Sequence, residues 1–294
     1  MKFRILAAFS GNIAAVCGMF LLFAGCDVIE PAERKQTGGV IIDDTGVVKK
    51  VLVEDFTGYR CGHCPKAADV AVELMDTYKD KVVVIAIHSG DTYAKPFGLK
   101  YVYDFRTAVG EELFPLFIAG AGQPNGTINR KSFNGTYPVY HTGWAAKVQA
   151  ALTEKPKMTI KLQPAYDAAT QTLTVKTTVK YLQAGTTDQK LALYLTEDSI
   201  VYYQKDYRVQ SPAPEDVPNY LHRHVLRGAV GDYGAFGKQI SAAAIAAGAE
   251  FTETFTLSFA GKDWKPEHCA VVGLVNDGAT KEVLQAEEVK ILGK

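Results

Sequence analysis

Two cysteines separated by two residues, Cys61-Gly62-His63-Cys64, carry the most readable chemistry in this 294-residue sequence. A tight turn of that length brings both sulfurs within disulfide reach. A helix N-terminus beside the first thiol favours its thiolate, the form that attacks a disulfide. In such a setting Cys61 attacks a substrate disulfide and Cys64 resolves the mixed disulfide. His63 can offer a positive or hydrogen-bonding partner that lowers the Cys61 pKa and stabilises the reduced pair. Asp55, six residues before Cys61, is placed to take and return the Cys64 proton, provided burial raises its own pKa. Glu54 points to the other face of the same strand, so only one of the two acids can serve. Pro124 is the candidate for a cis-proline loop facing the disulfide, because cis bonds are largely confined to X-Pro.

These groups need a strand, a turn and a helix to hold them. Val51-Leu52-Val53-Glu54-Asp55-Phe56 supplies the strand, and Pro65 fits the first turn of a helix. Ala67, Val70, Ala71, Leu74, Met75 and Tyr78 recur at helical spacing. That layout predicts Cys61 as the more exposed sulfur and Cys64 as partly buried in the first helical turn. The apolar run Val82 to Ile87 reads as a parallel strand covered on both faces, which completes a right-handed crossover. Residues 91–117 form an excursion with weaker helical spacing at Val102, Phe105 and Val109. Gly122 to Asn129 turns into a short strand, and Trp144, Val148, Ala151 and Leu152 mark a closing helix.

After the linker Glu154-Lys155-Pro156-Lys157 the apolar period changes to two. Met158, Ile160 and Leu162 alternate, as do Leu173, Val175, Thr177, Val179 and Tyr181, and later Phe255, Leu257 and Phe259. Asn276-Asp277-Gly278 is a hairpin turn into a last strand at about 282–291. Short alternating strands without helices between them predict an all-β sandwich of immunoglobulin-like type. Residues 202–238 are too long for an ordinary hairpin connection. Their tyrosines and prolines read as a loop tucked over the sandwich edge, with a partner-binding surface as the other reading. His222 and His224 would face opposite ways on a strand, which argues against a metal there.

The N-terminus reads as a targeting segment. Lys2 and Arg4 precede a mostly apolar run, which ends at Phe23-Ala24-Gly25-Cys26. Small residues before a Cys at that place resemble a bacterial lipobox, which makes Cys26 the lipidated first residue of the mature chain. Export past the inner membrane lets disulfides persist. A second CxxC, which a four-thiolate zinc site requires, is missing, so neither a metal nor a cofactor is expected beyond the redox-active disulfide itself. Lys+Arg and Asp+Glu both number 32, and this balance gives no reason to expect a nucleic-acid partner.

Asp55-Phe56, the CGHC tetrapeptide and the following helix resemble thioredoxin, and Cys61-Gly62-His63-Cys64 matches the tetrapeptide of protein disulfide isomerase domains. Arg60 stands where thioredoxin has Trp, and Asn125 stands where Thr is common. The resemblance implies a nucleophile at Cys61, a resolving thiol at Cys64, a buried acid at Asp55 and a cis-proline at Pro124. A wider set of residues resembles the 28-kilodalton outer-membrane-protein family of Gram-negative lipoproteins. It comprises the lipobox, Val53-Glu54-Asp55-Phe56-Thr57-Gly58 before the CxxC, Ile128-Asn129-Arg130, and His222-Arg223-His224-Val225-Leu226-Arg227. That resemblance implies a lipid-anchored protein of the outer membrane.

The expected organisation is a signal peptide at 1–25, a tether at 26–45, an α/β thioredoxin-like domain at 46–155 and a β-sandwich at 156–294. The expected function is a thiol–disulfide oxidoreductase or isomerase acting on thiols or disulfides of exported proteins. The alternative is a non-catalytic surface or periplasm-facing binding lipoprotein in which the Cys61–Cys64 disulfide is only structural.

Overall fold

The computed structural model describes residues 46–118, 120–209 and 216–293. The expected signal peptide, the tether and Cys26 lie outside the described residues. Among the described residues no helix is long and apolar enough to cross a membrane. The chain is mostly β-structure spread over three sheets.

The first elements are β1 (Val51–Thr57), α1 (Cys64–Tyr78), β2 (Val82–His88), α2 (Ala108–Phe117), β3 (Asn125–Ile128), β4 (Val139–Tyr140) and α3 (Trp144–Ala151). All seven residues of β1 are buried, because β1 is flanked on both edges and covered on both faces. It pairs parallel with β2, from Val51 opposite Val82 to Thr57 opposite His88, and antiparallel with β3. Strand alternation sends Val51 and Val53 towards Ala67, Ala71 and Leu74 of α1 and Trp144 of α3. It sends Leu52 and Phe56 towards Val109, Leu113 and Phe117 of α2. Gly126 on β3 is required by close approach: a Cβ there would lie 2.5 Å from the Glu54 carbonyl oxygen and 2.7 Å from the Trp144 ring.

The spacing at Val102 and Phe105 does not form a helix. Helix α2 begins at Ala108, where the Thr107 side chain accepts a hydrogen bond from the Gly110 amide at 3.0 Å. Phe105 instead joins Tyr59, Tyr101 and Val225 in an aromatic cluster.

The remaining strands are β5 (Met158–Asp167), β6 (Thr172–Tyr181), β7 (Lys190–Glu197), β8 (Ile200–Lys205), β9 (Asp216–His222), β10 (Val225–Ala229), β11 (Lys238–Gln239), β12 (Glu250–Ser258), β13 (Cys269–Asn276) and β14 (Val283–Lys290). The large sheet has nine strands in the order β14-β13-β7-β10-β2-β1-β3-β4, with β11 on β7. It therefore runs from residues before 156 into residues after it. The join is the parallel bridge between Val225 and Ala86, reinforced by the Ala86 amide donating to the His224 carbonyl at 2.8 Å. A second sheet, β12-β6-β5, buries Leu173, Val175 and Phe255 against Leu193, Leu195 and Val271 of β7 and β13. The segment 202–238 is not the loop its length suggests. It holds most of the β8–β9 hairpin, whose strands form the third sheet, together with β10 and part of β11. Its prolines and tyrosines mask a period of two that is broken by a register shift between Tyr202 and Gln204.

One ion pair ties these parts together. Glu54 and Arg130 are both fully buried, and Arg130 Nη2 donates to Glu54 Oε1 at 2.6 Å. Thr127 Oγ1 donates to Glu54 Oε2 at 2.7 Å, and Arg130 Nη2 also reaches the Tyr194 hydroxyl on β7 at 3.0 Å. Phe117 and Phe236 lie over the guanidinium, each at 5.6 Å. Removing one partner of such a pair strands a charge in the core. Glu54→Ala and Arg130→Ala are each expected to cost about 3–5 kcal/mol. The double change Glu54→Leu/Arg130→Met is expected to cost clearly less than the sum of the singles. Urea unfolding of the four proteins checks this, and additive losses would mean that the two residues act independently.

Candidate functional site

The site is built at the C-terminal ends of β1 and β2, where three segments meet. After β1 the chain turns through Gly58-Tyr59-Arg60, with the Cys61 amide donating to the Gly58 carbonyl at 2.9 Å and the Arg60 amide to the Tyr93 carbonyl at 3.1 Å. Cys64 is the first residue of α1, with Pro65 beside it and no side-chain cap from His63. Cys61 and Cys64 form a disulfide with their Cα atoms 5.4 Å apart. The Gln123–Pro124 bond is cis, and Pro124 leads directly into β3. The Gln123 side chain donates to the carbonyls of Thr57 at 2.9 Å and Ser89 at 3.1 Å, which fastens the proline loop to the ends of β1 and β2.

Asp55 is 3% exposed on the α1 side of β1, one residue from Glu54 and on the opposite face. Burial raises its carboxyl pKa to about 7, and its Oδ1 has no hydrogen-bond partner. Asp55 and Cys64 line the same cavity, together with His88 and His222. Both imidazoles are held below the ordinary histidine range by burial, His222 at about 4. These rings are therefore neutral near pH 7, and Asp55 is the group in the cavity that titrates there.

The two cysteines do not differ in exposure as expected: Cys61 and Cys64 are each 2% exposed as residues. The reason lies at the end of β8 and in the residues just after it. Gln204 Nε2 donates to the Cys61 carbonyl at 3.0 Å, and the Lys205 amide donates to the Tyr59 carbonyl at 2.7 Å. The Tyr207 amide then donates to the Gly62 carbonyl at 3.0 Å. Its ring lies so close over Gly62 that a Cβ there would stand 2.5 Å from it, so the position demands glycine. His63 remains exposed and meets the Tyr207 ring edge-on at 4.9 Å. Residues 204–207 thus form a strap over the outer face of the turn.

Asp55, Cys61, Cys64, His63 and Pro124 all belong to this end of the sheet. Sequence reasoning missed Gln204 and Tyr207 as parts of it. Their only signal was the concentration of tyrosines in an overlong connection, and nothing in the spacing says which element those tyrosines cover. Among the described residues no three His, Cys, Asp or Glu side chains converge as metal ligands would.

Comparison with known proteins adds the family. The profile of the family described as outer membrane protein Omp28 matches residues 113–293. No curated protein sequence matches the chain. Among solved structures, HBP35 of Porphyromonas gingivalis is similar with a TM-score of 0.63 at 18% identity, covering 83% of this chain and 76% of that one. A structural-genomics protein of Agrobacterium tumefaciens is similar with a TM-score of 0.52 at 12% identity, covering 84% of this chain and 97% of that one. A domain of the outer membrane lipoprotein Omp28 from Porphyromonas gingivalis is 23% identical over 47% of this chain and 90% of that one, with a TM-score of 0.30. The first two likenesses show that the arrangement of elements recurs, and at such identity they show the fold alone. The family match starts after Cys64, so it rests on α2, β3 and the strands that follow. It covers more than half of the sequence, and the chain belongs to the outer membrane protein Omp28 family, which places it at the outer membrane of the cell envelope.

Proposed function

We propose that this protein is a lipid-anchored thiol–disulfide oxidoreductase or isomerase of the outer membrane, acting on the thiols or disulfides of exported proteins. The observation that carries the reading is the joint placement of a Cys61–Cys64 disulfide at the start of α1 and a buried carboxyl, Asp55, in the cavity that Cys64 lines. A structural disulfide has no use for an unpartnered acid beside it, and burying that acid costs stability. In this reading Cys61 attacks the substrate disulfide, Cys64 resolves the mixed disulfide, and Asp55 takes the Cys64 proton and returns it. His63 favours the Cys61 thiolate, and Pro124 presents its loop to an extended substrate. The β1-α1-β2 crossover with the following β3 supports a thioredoxin-like domain, and the packing of β12-β6-β5 on β7 and β13 supports a sandwich after residue 156. The residues before Cys26 support lipidation at that cysteine.

A second reading is favoured by the strap. With both cysteines 2% exposed and the turn strapped by Gln204 and Tyr207, the disulfide serves in this reading only to hold the turn of a non-catalytic binding lipoprotein.

Two measurements separate these readings. Oxidoreductase chemistry requires a reduction potential above about −300 mV in glutathione buffers, and Cys64→Ser should accumulate mixed disulfides with exported proteins through Cys61. An unreducible bond with no trapped partner would establish the structural reading.

Asp55 provides a pH test. A carboxyl whose pKa rises from 3.8 to about 7 on folding binds its proton more tightly in the folded chain. It therefore lowers stability as pH climbs from about 4 to about 7. Asp55→Asn is expected to be the more stable protein at pH 8, by on the order of 4 kcal/mol at most, with the gap closing near pH 4. The same substitution should slow disulfide exchange at least tenfold. An unchanged exchange rate retires the proton-transfer role.

Cys26→Ala is expected to move the protein from the membrane to the soluble fraction. Retention in the membrane would mean another mode of attachment.

A further inference from the structure

The cavity beside the disulfide reaches only one of its two sulfur-bearing residues. Cys64 lines it and Cys61 does not. Its volume is about 200 Å³. Exposed residues, Asp69 on α1 with Leu221 and Arg223 on the other side, form the rim. Buried residues, Asp55, Cys64 and His88, form the floor. Several of the floor and wall side chains are polar, and two of them, Asp55 and His88, each have a buried atom without a hydrogen-bond partner. Unpartnered buried polar atoms in a space large enough for several waters mark a place where a polar molecule gains hydrogen bonds. Meanwhile the strap of Gln204 and Tyr207 covers the outer face of the turn.

We propose that a low-molecular-weight thiol of amino-acid size enters this cavity and exchanges with the disulfide at Cys64, an inference that rests on the oxidoreductase reading of the pair. Proteins are too large for the cavity, so their route to the pair lies on the strap side, at Cys61, and requires residues 204–207 to move off the turn. The rim carries both signs of charge, Arg223 on one side and the Asp69–Arg208 ion pair on the other, which suits a zwitterionic thiol.

The exchange balances as follows. The incoming thiol loses its proton to the Asp55 carboxylate, and its sulfur attacks Cys64 Sγ. The Cys64–Cys61 bond breaks, a mixed disulfide forms on Cys64, and Cys61 leaves as the thiolate. Its place just before α1 makes it the better leaving group, because the helix N-terminus favours negative charge there. A second thiol then attacks the sulfur of the first. The small disulfide departs, and Cys64 takes back the proton held by Asp55, while the second thiol's proton passes to Cys61 or to solvent. Two small thiols are oxidised and the protein disulfide is reduced.

The test uses the full chain in two single-cysteine forms, Cys61→Ser and Cys64→Ser, with free cystine as the small disulfide. By reversibility, Cys64 alone should be cystinylated at least tenfold faster than Cys61 alone, read by mass spectrometry of the intact protein. With a disulfide-bonded protein as reagent the order should reverse. Ala68, half-buried on α1 and lining the cavity, gives the second arm. In otherwise unaltered oxidised protein, Ala68→Leu should lower the ratio of the cysteine rate to the protein-dithiol rate at least tenfold. Faster cystinylation of Cys61 than of Cys64, or an unaltered rate ratio in Ala68→Leu, overturns the inference. Trapping of exported proteins on Cys61 is independent of both arms, so a failure there counts against the oxidoreductase reading and leaves the entry route decided by cystinylation.

Discussion

The buried contact between Glu54 and Arg130 is the constraint on which the rest of this structure turns. Two opposite charges with no exposed surface are tolerable only when hydrogen bonds meet most of their lone pairs and protons. Here Thr127, Tyr194 and the two carboxylate oxygens supply most of those partners, and two phenylalanine rings cover the guanidinium. The pair therefore fixes β1, β3, α2 and β7 relative to one another. Asn129 and Arg130 both take the left-handed backbone conformation, with φ of 52° each. That kink turns Arg130 back over β1 and lets Asn129 bind Leu52 through its side chain at 2.8 Å and Val283 through its carbonyl at 2.8 Å. Unfavourable local geometry at Arg130 is held in place by the contacts it makes possible.

From this follows the contrast between two adjacent acids. Strand alternation sends Glu54 to the α2 side, where an arginine neutralises it, and Asp55 to the α1 side, where nothing does. Identical chemistry at neighbouring positions thus gives a structural ion and a group that titrates near neutrality. The difference lies wholly in what each face of the sheet packs against. Because the Glu54 anchor fixes β1, Asp55 cannot relax towards solvent, and its proton affinity stays high. The proposed exchange chemistry depends on that.

Parts of the site were legible in the residues alone. The CxxC turn before Pro65, the alternation of Glu54 and Asp55 and the apolar run at Val82 to Ile87 all rest on local rules of spacing, and the strand, turn and helix follow from them. Cys61 shows where local rules stop. Its place ahead of the helix argues for exposure, yet a strap from residues more than a hundred positions away covers it. The tyrosines of 202–238 were visible as a cluster, but whether they shield an edge or cover a disulfide is a question of long-range contact. Phe105 shows the same limit: helical spacing suggested a helix, and packing against Tyr59 and Tyr101 drew it into an aromatic cluster.

The sequence by itself determined the order of elements, the turn that closes the disulfide and the strand that carries the acids, because periodicity and turn chemistry act over a few residues. Tertiary structure decided the rest: that one sheet runs from β4 to β14, that Glu54 is neutralised while Asp55 is not, and that Cys64 meets a cavity while Cys61 is tied to the strap through Gln204. Those outcomes depend on which distant surfaces share a face and exclude water, and no local pattern encodes that.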